Sequence, residues 1–96
     1  MERVRNIVIQ IIKMLRQVSK NAQADWLDKR LQEMKSKDTA EKAVKDLKSI
    51  IAGMGSLSDT HLELAQDQDI DEAKYNATFQ KLIGELDEEL TAYLGG

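Results

Sequence analysis

The chain has 96 residues and a formal net charge of −3; it is 42% hydrophobic and 32% charged, with one histidine, no proline and no cysteine. That length can bury a core without covalent staples, and the composition is that of a folded helical domain rather than a disordered one. Disulfides, thiolate zinc sites, iron–sulfur clusters and cysteine nucleophiles are excluded, and the lone His61 excludes a paired-histidine metal site.

The first predicted helix covers about residues 2–20. Val4, Ile7, Val8, Ile11, Ile12, Leu15 and Val18 recur at three- and four-residue steps and form one wide apolar stripe. Arg3, Arg5, Lys13, Arg16 and Lys20 fall mostly off that stripe, while Ile9 and Met14 widen the apolar surface beyond it. Such a helix is expected to be covered on two sides, within the bundle or by a second chain. Asn21 and the small residues after it mark a break.

A second helix is predicted over about 23–35, with Trp26 or Leu27, Leu31 and Met34 as a shorter stripe, and Ser36-Lys37 as the turn that follows. Trp26 is expected to anchor the core, since large aromatics dominate small cores; an interface anchor is the alternative. A third helix is predicted over about 39–53. Asp38 is its N-cap and Glu41 completes a capping box. Its buried face is Ala40, Ala43, Val44, Leu47, Ile50 and Ile51, and Gly53 with Gly55 ends it.

Residues 56–69 are the least regular stretch: a short turn capped by Ser56 and Asp59, then a solvated acidic loop. The last predicted helix covers about 70–94, with Asp69 as cap, Glu72 at the reciprocal position, and Phe79, Leu82, Ile83, Leu86, Leu90 and Leu94 as its stripe. No repeat or linker divides the chain, so a single helical domain over 1–96 is expected. Four amphipathic helices joined by short turns predict an all-α fold, a small antiparallel four-helix bundle with an irregular 54–69 connection.

Charge is unevenly spread. Residues 1–21 hold five bases (Arg3, Arg5, Lys13, Arg16, Lys20) against Glu2, a balance of +4. Residues 57–96 hold ten acids against Lys74 and Lys81, a balance of −8. A half so charged steers a basic partner or simply keeps the protein soluble. The basic N-terminal helix lacks interleaved aromatics, which argues against nucleic-acid binding. Gln10, Lys13 and Arg16 interrupt what would be the apolar core of an export signal, and no run reaches the length of a membrane span. A cytoplasmic protein without membrane association is expected.

No motif for catalysis or metal binding stands out. Asp67, Asp69 and Asp71 open with the spacing of a calcium loop, but the sixth and twelfth positions are Glu72 and Thr78 instead of glycine and glutamate. His61 near Asp59 and Glu63 lacks a nucleophile to serve and reads as a surface or capping residue. The run Glu85, Asp87, Glu88 and Glu89 has none of the following histidines of a di-iron bundle and reads as a solvated face. Gly53-Met54-Gly55-Ser56 lacks the lysine ending of a phosphate loop. No enzyme, metal or cofactor is expected.

The stretch Ile50–Asp59, with Gly-Met-Gly-Ser, an apolar residue, a polar residue and Asp after an apolar helix, resembles the signature of a small bacterial helical family of unknown function. A C-terminal helix rich in Phe, Leu and acids, similar to Tyr75–Leu94, usually follows in that family. Leu57-Ser58 stands where an aromatic-Asn pair is commoner, and Ala52 where a further glycine is commoner. The resemblance implies a shape role for Gly53, Gly55, Ser56 and Asp59. Small acidic proteins of this style resemble immunity proteins, which neutralise toxins by covering them. The expected function is therefore non-enzymatic protein binding of inhibitor type, with a basic toxin or nuclease surface as partner. Asp59, Glu63, Asp67, Asp69, Asp71 and Glu72 would make the contact, with Tyr75 as anchor. A self-associating helical module, dimerising through helix 1, is the alternative.

Overall fold

The computed structural model describes residues 2–52, 62–64 and 71–95, and all its regular structure is helical. In chain order the helices are α1 (Glu2–Gln17), α2 (Asn21–Glu33), α3 (Lys37–Ala52) and α4 (Glu72–Gly95). The glycine signature, with Gly53, Gly55, Ser56 and Asp59, lies outside the described residues, as do His61, Asp67 and Asp69.

Each helix touches two others: α1 packs on α2 and α4, and α3 packs on the same two. The apolar stripes meet inside this ring. Val4, Ile7, Val8, Ile11, Ile12 and Leu15 of α1 are all buried, as periodicity predicts. They join Leu27, Leu31, Met34, Val44, Leu47, Phe79, Leu82, Ile83, Leu86 and Leu90 in one cluster. A buried side chain of this kind contributes about 1.5–3 kcal/mol, against a few tenths for helix propensity at one position. Packing of the stripes therefore decides where these helices form. Met14 and Val18 are partly buried against the same cluster, whereas Ile9 is exposed. The additional width of α1 is thus largely absorbed from within. At the far end of the fold Tyr93 and Leu94 are exposed, so the α4 stripe ends one turn earlier than predicted.

The helix ends differ from expectation for local reasons. Helix α1 stops at Gln17, because Ser19 adopts φ 63°. The Lys20 N–H then reaches the Leu15 carbonyl (2.9 Å) and the Ser19 N–H the Arg16 carbonyl (3.1 Å). This is a Schellman ending with serine in the place usually taken by glycine. Lys20 immediately serves as the N-cap residue of α2. Helix α3 starts two residues early because Ser36, not Asp38, caps it: Ser36 Oγ accepts the Asp38 N–H at 3.3 Å. Glu41, expected in a capping box, instead pairs with Lys45 one turn on, at 3.3 Å. Helix α4 is capped by Asp71, whose Oδ1 accepts the N–H groups of Ala73 (3.0 Å) and Lys74 (3.3 Å).

Candidate functional site

Of the residues predicted to meet a partner, Glu63, Asp71, Glu72 and Tyr75 are described, and the structure gathers them around the start of α4. Most of them have structural employment. Asp71 is the cap. Glu72 Oε1 accepts the Leu64 N–H at 2.9 Å. Glu63, between two tethered neighbours, is exposed.

Tyr75 is partly buried and reaches across to α1, where its hydroxyl donates to the Met14 carbonyl at 2.8 Å. The cause lies in the α1 ending. The Val18 N–H turns to Leu15 (3.3 Å), which leaves Met14 among the terminal carbonyls that need an outside donor. Tyr75 supplies one. Burial pushes its phenol above the usual tyrosine value of 10.0, because ionisation would place a charge away from water.

The residue that organises this region is Asn76, which sequence reasoning missed. Its Oδ1 accepts the Leu62 N–H at 2.7 Å, and its Nδ2 donates to the Leu62 carbonyl at 2.8 Å and to the Glu72 carbonyl at 2.9 Å. The side-chain amide thus satisfies both backbone groups of Leu62, whose side chain is fully buried. One signal was available: asparagine is a poor residue inside a helix, and its presence in the second turn of α4 asks for a reason.

The acidic run farther along α4 is partly neutralised from within. Lys48 of α3 donates to Asp87 (2.6 Å) and to Thr91 (2.7 Å), and Arg3 of α1 pairs with Glu89 at 2.7 Å. Two of the four acids expected on a solvated face therefore bind neighbouring helices. Glu85 and Glu88 have no ion pair among the described residues.

Trp26, expected in the core, is only half-buried. It packs partly buried against the core cluster, with the Arg30 guanidinium 4.8 Å from its ring centroid. Arg30 lies 2.6 Å from Glu33 and 3.5 Å from Asp46 of α3, so the cation is held between two carboxylates above the ring. Beside it Ala22, Gln23, Trp26, Leu27 and Ile50 line a cleft of about 260 Å³. That exceeds the ~150 Å³ of an apolar cavity that accepts benzene. Among the described residues no acid, base or nucleophile lines it, and Gln23 Oε1 is buried with no hydrogen-bond partner among them. The cleft has room for an apolar group.

Among the described residues no three acids or histidines are placed to hold a metal ion, and no helix is long and apolar enough to cross a membrane. Compared with protein-family models, curated proteins and solved structures, the chain has no match.

Proposed function

We propose that the protein is a non-catalytic binding domain of inhibitor type, whose acidic C-terminal half covers a basic surface on a protein partner. The observation that carries this reading is the −8 balance of residues 57–96, read directly from the sequence. Internal pairing removes only part of it. Asp87 and Glu89 are matched by Lys48 and Arg3, while Glu63, Glu85 and Glu88 are in no ion pair among the described residues. Complementary charge of this kind speeds association and selects the partner more than it adds affinity. The same proposal takes the scaffold as an antiparallel bundle. Arg3 near the start of α1 meets Glu89 late in α4, and Met14 near its end meets Tyr75 early in α4, which supports opposite directions for this pair.

The test is affinity capture from native-host lysate, washed across a salt series and read by mass spectrometry. The intact chain is compared with a Glu63→Lys, Asp67→Lys, Asp69→Lys variant. Asp71 is left in place because its reversal would unmake the α4 cap. The expected result is one basic partner, released by salt and lost with the variant, while the helical signal in circular dichroism is unchanged. A partner retained equally by both chains at high salt overturns the acidic-surface reading. Recovery of the bait alone as a dimer favours the self-associating module, for which the exposed Ile9, Tyr93 and Leu94 are the supporting observation.

A further inference from the structure

We draw no further inference here: the strongest candidate, the apolar cleft of about 260 Å³ between α2 and α3 walled by Trp26 and Ile50, carries nothing because no observation among the described residues shows what covers it.

Discussion

The protein joins its helices in two different ways. Between α1 and α2, and between α2 and α3, the chain turns within a few residues, and each turn is closed by groups belonging to that turn. Ser19 and Lys20 bond back to Arg16 and Leu15; Ser36 caps α3, and the Thr39 hydroxyl donates to the Glu33 carbonyl. The connection from α3 to α4 is longer and is secured by partners distant in sequence. Leu62 buries its side chain in the core and gives its backbone to Asn76, fourteen positions on; Leu64 gives its N–H to Glu72. The short turns depend on local conformation, so each tolerates change by small increments. Among the described residues the long connection is tied at Leu62 and Leu64, and the first of these ties runs through the core. Glu63 sits inside that anchor, and the other acids expected to meet a partner flank it in sequence.

This contrast can be broken or sharpened by substitution. The largest effect is expected for Leu62→Ala, which removes the anchor from the core and should lower stability by about 2–5 kcal/mol in urea unfolding. A loss under about 1 kcal/mol would show that the connection is not fastened through the core. Asn76→Ala leaves both backbone groups of Leu62 without their partner. It should cost about 1–3 kcal/mol and raise hydrogen exchange at the Leu62 amide well before that of α1 or α3. Uniform exchange across the molecule would contradict a local clamp.

Asp71→Ala removes the α4 cap at a cost of about 1 kcal/mol, read from the same unfolding curves. Ser19→Gly should move the other way. It relieves a left-handed serine that costs roughly 1–2 kcal/mol, less the added freedom of glycine in the unfolded chain, for a net gain near 0.5 kcal/mol. Destabilisation there would mean that the serine side chain contributes something its backbone position does not.

The smallest expected effect depends on pH. The folded Tyr75 phenol titrates above its unfolded value, so the neutral form favours the folded state. Its contribution is complete below about pH 10 and is lost as pH rises through the folded value. The difference in urea midpoint between the intact chain and Tyr75→Phe, followed from pH 8 to 11, should therefore change only at the alkaline end. Lysines titrate in both chains and cancel in that difference.

The electrostatic reading changes most between sequence and fold. Summed along the chain, the N-terminal helix is basic and the C-terminal half acidic, as though each addressed the outside. In the structure α1 and α4 are neighbours, and Arg3 meets Glu89 between them. Part of the acidic half's charge is therefore paired within the chain. Exposed pairs of this kind add about 0–1 kcal/mol each, so they orient the helices more than they stabilise them. Asp71 likewise caps the first turn of α4, two positions beyond the cap expected at Asp69, and Glu72, expected at the reciprocal capping position, instead accepts the Leu64 N–H.

By itself the sequence determined that the chain is helical, where its helices lie to within two or three residues, and most of the apolar side chains that form the core. All of that follows from a 3.6-residue period and from turn chemistry acting over a few positions. The tertiary structure alone decided that Asn76 holds Leu62, that Tyr75 completes the end of α1 sixty-one positions away, and that Arg30 of α2 reaches Asp46 of α3. Those contacts join residues that local periodicity cannot relate. They exist only because packing the stripes first brings the helices together, after which each orphaned backbone group or buried charge takes the partner within reach.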